Sequence, residues 1–423
     1  MSIVLGMKSR FVIFTLLFFC QFKITAQDNP DAKFEAFAKV QDSLMVKAYE
    51  QKDVKTYHKL LDVFLDKYNK LSKEDKAYFL KYCADVYYNL CCTYALLNDK
   101  PHALEYFEKS IKSGYMDYGH ITVDTDLNLI REDAKFKALS QTIRETGDYL
   151  YILKKAGKYN TEEKRVLPAF TYQSADNPHL TALRKAFNLD SIAGRGNEVN
   201  QIINLMDWIH NLVPHDGEHG NPEVKNAMAM IAFCKKEKRG LNCRGLATVL
   251  NECYLAMGFK SRFITCLPKD SLGTDNDCHV INMVWCTELK KWLWIDPTND
   301  AYVMNEQGIP LSVEEVRERI ITDKPLLLNP NANWNRRGTQ TKEEYLYHYM
   351  AKNLYMIEAP SKSEYDTETK QKGKEVDYLR LVPLDYFNKS LDKSVQEDEA
   401  KTIKFNNYKT NNPAVFWKAP KSE

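Results

Sequence analysis

"RGLNCRGLATVL", residues 239–250, is the stretch on which the reading of this chain turns. Leu246, Val249 and Leu250 recur at helical spacing, and the run continues through Tyr254 to Gly258, a residue suited to ending a helix. Cys243 therefore opens a predicted helix. A helix N-terminus carries partial positive charge and free amide donors, so a thiol there is more acidic and faces groups able to bind an oxyanion. A disulfide or a packed thiol are the other readings of such a cysteine.

Nucleophilic use of Cys243 needs a base and a group to orient that base. His279 in "NDCHVINMVW" opens a predicted strand, and Asp296 in "WLWIDPTND" closes the next one. If Cys286 faces Leu289 across the hairpin, then Met283 faces Trp292 and His279 faces Asp296 on one sheet face. A four-residue turn would instead make Asp296 a diagonal neighbour of His279, still within hydrogen-bonding reach. The runs Ser261–Cys266, Val280–Cys286 and Trp292–Ile295 read as strands. Upstream, Ile202, Leu205, Met206, Ile209 and Leu212 form one helical face ending before Pro214, and Glu223–Cys234 forms a second helix. Helices followed by consecutive antiparallel strands make an α+β domain.

Cys243, His279 and Asp296, in the contexts GLNC, DCHV and WIDPT, resemble the transglutaminase-like (papain-like) superfamily over about residues 200–300. "LMDWIHNLV" and "LATVLNECYLAMGFKSRFITC" are similar to the helices and strands of that family in the same order. The resemblance implies a triad: Cys243 attacks an amide carbonyl, His279 moves protons, and Asp296 holds the tautomer. It implies an amide of a peptide or protein as substrate and a thioester intermediate, resolved by water or by an amine. Arg244 departs from the acidic or aromatic residue common after the nucleophile.

Three further residues are candidates for contact with substrate or oxyanion: Trp208, His215 and Asn242. An indole N–H suits the task, although the helical context of Trp208 favours packing. The stretch "HNLVPHDGEHGN", residues 210–221, holds His210, His215, Asp216, Glu218 and His219, but its spacing matches no zinc motif. It is expected as a polar loop at the rim of a cleft. No cofactor motif and no EF-hand loop is found.

Residues 31–147 read as helices, with faces at Phe34, Phe37, Val40 and Leu44 and at Leu60, Leu61, Phe64 and Tyr68. Tyr87, Leu90, Cys91, Tyr94, Ala103, Phe107 and Ser110 fall at the spacing of a tetratricopeptide repeat, with Asn98–Pro101 as the turn. This region is a candidate surface for a protein partner. Cys91 and Cys92 are expected as small apolar packing residues. The segment "KEEYLYHYMAKNLYMI" from 342 is helical in pattern, and Tyr378–Val382 is strand-like.

Met1–Ala26 has the layout of a signal peptide, with Lys8 and Arg10 ahead of the apolar run Phe11–Phe19. Export, to the periplasm or beyond the cell, is therefore expected, with a lipoprotein at Cys20 as the weaker alternative. No later segment is long and apolar enough to span a membrane. The expected organisation is signal peptide 1–26, helical region 27–150, connecting segment 151–197, catalytic domain 198–322, and an extension 323–423 packed on it. A net charge of +2, from 59 basic and 57 acidic residues well mixed along the chain, calls for neither nucleic acid nor an anionic membrane as partner. Nine of the ten cysteines survive removal of the signal, so at least one thiol stays unpaired within a monomer. The readings of function are a cysteine amidase or peptidase, a protein cross-linking transglutaminase, or a binding module whose chemistry has lapsed.

Overall fold

The computed structural model describes residues 32–160, 165–272, 277–386, 393–397 and 403–421. The expected signal segment, with Cys20, lies outside the described residues. The chain divides after Asp148 into two compact units. Among the described residues no helix is long and apolar enough to cross a membrane.

The first unit is helical. It contains α1 (Ala32–Glu50), α2 (Val54–Tyr68), α3 (Leu80–Leu96), α4 (Lys100–Lys112) and α5 (Ala134–Gly147). Aspartates start three of these helices by accepting from backbone amides: Asp53 from Thr56, Asp99 from His102 and Asp133 from Lys135. Asn98, in the left-handed region at φ 63°, turns the chain between α3 and α4. Leu90, Cys91, Ala103, Phe107 and Ser110 are buried, the small side chains allowing helix contact. On α1 the expected face is only partly correct: Val40 and Leu44 are exposed, and the buried stripe runs through Phe34, Gln41, Met45 and Ala48. These four keep helical spacing, so the period was right and the phase drifted toward the apolar side chains that protrude.

The second unit is α+β. Its helices α6 (Pro178–Phe187), α7 (Glu198–Leu212), α8 (Ala227–Glu237) and α9 (Cys243–Ala256) precede the strands β1 (Ser261–Leu267), β2 (His279–Cys286) and β3 (Lys291–Ile295). Then come α10 (Val313–Ile321), β4 (Met356–Pro360), β5 (Lys374–Leu381), β6 (Ser394–Glu397) and β7 (Ile403–Thr410). The sheet runs in the order β6-β7-β5-β4-β1-β2-β3. All neighbours are antiparallel except the parallel pair β7 and β5.

Successive strand residues point to opposite faces, and here both faces are covered. Val284, Cys286, Leu293 and Ile295 pack with Leu180, Leu205, Met230 and Val249 from α6, α7, α8 and α9. Ile281, Met283, Trp292 and Trp294 pack on the other side with Val316, Leu346 and Phe416. Two-sided burial explains why these strands are apolar almost without alternation. Residues 178–187, in the expected connecting segment, supply α6 to the first of these cores. The 323–423 region supplies four strands of the same sheet.

Candidate active site

Cys243 is the first residue of α9. Asn242 caps the helix, its Oδ1 accepting from the Gly245 amide at 3.1 Å. Asn221 Nδ2 donates to the same oxygen at 2.7 Å, and Asn221 Oδ1 accepts from the Asn242 amide at 3.1 Å. A Cβ at Gly245 would stand 2.6 Å from Asn221 Oδ1, so this close pairing requires glycine there. The Asn242 carboxamide is thus spent on holding the nucleophile's helix.

The segment just before the cysteine also fixes a histidine. Leu241 N–H donates to the Pro214 carbonyl at 3.2 Å, and Asp216 N–H to the Leu241 carbonyl at 2.8 Å. At Gly240 a Cβ would lie 2.0 Å from the Pro214 carbonyl oxygen, a distance only glycine escapes. From the other side Asn335 grips the His215 backbone, accepting its N–H at 2.6 Å and donating to its carbonyl at 2.9 Å. His215 Nδ1 is buried and has no hydrogen-bond partner among the described residues.

His279 opens β2, and its Nε2 lies 2.7 Å from Asp296 Oδ2, both side chains buried. The hairpin register is the diagonal one. Cys286 pairs with Lys291 and Asn282 with Ile295, so residues 287–290 form a four-residue turn and Asp296 falls two positions short of facing His279. Asp296 Oδ1 accepts from the amides of Thr298 at 2.9 Å and Asn299 at 3.3 Å. Its Oδ2 also accepts from Asn299 Nδ2 at 2.9 Å and from the Tyr345 hydroxyl at 2.6 Å. Asn282 Nδ2 donates to the Ala247 carbonyl at 2.9 Å, which ties the histidine's strand to the cysteine's helix.

The charges follow from these partners. Burial alone would push the Cys243 thiol up; hydrogen bonds with His215 and His279, and their charge, outweigh it and bring it down to about 6. Burial would lower His279, but the Asp296 carboxylate and then the Cys243 sulfur raise it to about 10. Burial opposes the charge on Asp296 as well, yet His279, Tyr345 and Asn299 hold its pKa below the ordinary carboxylate value. A thiolate and an imidazolium therefore coexist over the interval between.

The residues singled out in the sequence do not all meet. Cys243, His279, Asp296 and His215 converge, and Asn242 stands beside them as the helix cap. Trp208 goes elsewhere, its indole packed at 5.6 Å from Phe187 within the helical core. The 210–221 stretch is only partly a rim loop. His210 is buried and bonds the Pro297 carbonyl and Asn333 Oδ1, both at 3.0 Å, whereas His219 is exposed on Asp216. Arg244 reaches away from the thiol to Glu368 at 2.7 Å and Thr265 at 2.9 Å. All nine described cysteines are free thiols.

Sequence reasoning missed the two tyrosines that enclose the pair. Tyr345 bonds Asp296, and the Tyr349 ring stands edge-on to His279 at 5.2 Å. Both lie on a helix wound as π over Glu343–Met350, a form found often at functional sites. The visible signal was tyrosine at 345, 347 and 349 within one short run.

Residues 185–297 match the transglutaminase-like superfamily. That match runs from the end of α6 to just past β3 and includes Cys243, His279 and Asp296, so it supports a cysteine-dependent hydrolase or acyltransferase. A crystal structure described as a candidate cysteine protease from Cytophaga hutchinsonii is similar at 15% identity, with a TM-score of 0.22. The similarity covers 35% of this chain and 48% of that one, so this chain spans about half the length of that relative. No curated protein matches the chain.

Proposed function

We propose that the second unit is an amide hydrolase in which Cys243, His279 and Asp296 form the catalytic triad. The observation that carries this reading is the thiol at a helix N-terminus, lowered to about 6, beside an imidazole that a buried carboxylate holds at 2.7 Å. The Cys243 thiolate attacks the amide carbon, and the carbonyl π electrons move onto oxygen. Charge on that oxygen is met by the free amides of the first turn of α9 and by an N–H of His215. The imidazolium of His279 then gives its proton to the departing amine as the C–N bond breaks, leaving a thioester. Neutral His279 next removes a proton from water, the hydroxide attacks the thioester, and the thiolate leaves with a carboxylic acid as product. Asp296 keeps the ring oriented throughout, and its own proton count does not change.

Water serves as acceptor in this reading, and an amine in its place would give acyl transfer by the same first half-reaction. The chain is proposed to act after export, its N-terminal layout being that of a signal peptide. The helical first unit is proposed as a tetratricopeptide-like module for a partner.

Alkylation provides the test. Iodoacetamide is expected to modify Cys243 at neutral pH faster than an ordinary surface thiol, and His279→Ala is expected to slow that reaction by about tenfold or more, the thiol returning toward its usual value near 8.5. Incubation with a glutamine-containing peptide and a labelled amine then separates the acceptors. Slow labelling indifferent to His279→Ala would overturn the enzyme reading in favour of a binding module.

A further inference from the structure

The helical first unit encloses a cavity of about 620 Å³, inside the range of roughly 300–1,000 Å³ usual for small-ligand sites. Six carboxylates line it, those of Asp42, Glu50, Asp53, Asp85, Asp124 and Asp126, against a single lysine, Lys52. Tyrosine rings form much of the remaining wall. Tyr88 and Tyr115 stack with centroids 4.2 Å apart and planes within 4°, presenting a π surface. The Tyr88 hydroxyl donates to Asp124 Oδ2 at 2.6 Å, while Asp124 Oδ1 accepts from the Asp126 amide at 3.0 Å. The acidic end of the cavity is therefore held in place by the aromatic wall.

His120 Nε2 stands 3.4 Å from Asp124 Oδ2, and Asp53 accepts from the Thr56 amide, while Asp42 and Asp126 are half-buried members of the set. Burial raises Asp42 above the ordinary carboxylate value. Burial and then the Asp124 charge raise Asp126, against which only His120 acts. Burial raises the Tyr57 hydroxyl, and Cys92, Tyr49, Asp42 and Asp126 act on it in the same direction. Half-buried like charges facing a concavity are costly unless a cation joins them.

We infer that this cavity binds an organic cation, the ammonium of a lysine side chain in an extended peptide, among the carboxylates of Asp42, Asp124 and Asp126. The methylene stem lies along the tyrosine rings, and the ammonium takes charge-assisted hydrogen bonds and a ring face. The sulfur of Cys92 and carboxylate oxygens of Asp124 and Asp126 also lie within 4.8 Å of one another, close enough to hold a metal ion. The volume and the aromatic wall favour the larger ligand, because a bare ion would leave most of both unused.

The full-length Cys243→Ala chain keeps this binding separate from any activity of the second unit by leaving peptide unconsumed. Calorimetry at low salt would use a short capped lysine-centred peptide, its Nε-acetylated counterpart and Zn²⁺ alone. The lysine peptide is expected to bind and the acetylated peptide to bind about tenfold more weakly or worse, since the charge-assisted contacts are lost. Asp42→Asn together with Asp126→Asn is expected to weaken the lysine peptide by a similar factor, and added salt to weaken it further. Should that double variant fail to fold, the comparison of the two peptides on the parent chain still decides. Equal binding of the two peptides, no binding of either, or binding of Zn²⁺ alone that Cys92→Ser abolishes would each overturn it.

Discussion

Cys243 and His279 carry opposite charges over one interval of pH, and that interval is open to measurement. The thiol is lowered to about 6, so its anion is present above that value; the imidazole is raised to about 10, so its cation is present below that value. Alkylation of Cys243 requires only the thiolate, and its rate is expected to rise through pH 6 and then level. Amide cleavage requires the proton on His279 as well, so it is expected to rise on the same limb and fall again toward pH 10. His215→Asn removes one of the two imidazoles that lower the thiol, and the midpoint of alkylation should move to higher pH. A midpoint near the ordinary thiol value of about 8.5 in the parent chain would contradict the ion pair. The three residues of the pair and its orienting carboxylate were legible because each sits at a boundary of an element that periodicity alone could find. Tyr345 and Tyr349 were not, because nothing local in "KEEYLYHYMAKN" says that a helix beyond residue 322 returns to the carboxylate of residue 296.

At the scale of elements, the site depends on two close approaches of backbone. Gly240 allows the strand-like contact between residues 214–216 and 240–241, and this contact brings His215 to the thiol. Gly240→Ala places a methyl 2.0 Å from a carbonyl oxygen that belongs to the backbone and cannot swing aside. The expected cost is ~1–3 kcal/mol, read as a lower melting temperature, together with an upward shift of the Cys243 midpoint as His215 withdraws. A drop in stability with the midpoint unmoved would mean that this contact does not govern the thiol. The hairpin shows a different limit of sequence reading. Both the directly facing and the diagonal registers join His279 to Asp296, and the choice rested on turn length. Thr287–Lys290 adopts four residues with Lys290 at φ 53°, a left-handed position that the run "TELK" does not announce.

At the scale of the whole molecule, the domain matched by family likeness ends at residue 297, yet the sheet does not. Residues 356–410 add β4, β5, β6 and β7 to the free side of β1, and residues 343–350 bring the tyrosines that close over the His279–Asp296 pair. Removing residues 323–423 would leave β1 as an edge strand whose side chains are nearly all buried in the intact unit, a template for intermolecular pairing. The truncated chain is expected to aggregate on size-exclusion chromatography, whereas the chain ending at 423 stays dispersed. A dispersed truncated chain with unchanged Cys243 reactivity would show that the extension is dispensable.

Sequence by itself determined the class of the second unit, the order of its helices and strands, and the three residue types placed at their ends. It could do so because helical and strand periods, caps and turn residues are local, and each is written within a few positions of where it acts. Only the tertiary structure decided that His215 joins the thiol, that Trp208 leaves it, that Asn221 holds the Asn242 cap, and that two tyrosines from beyond residue 322 enclose the carboxylate. Those outcomes depend on pairings between residues about 20 to more than 100 positions apart, such as 187 with 208, 221 with 242, and 215 with 243 and 335, and they are set by packing and hydrogen-bond completion across the fold rather than by any nearby pattern.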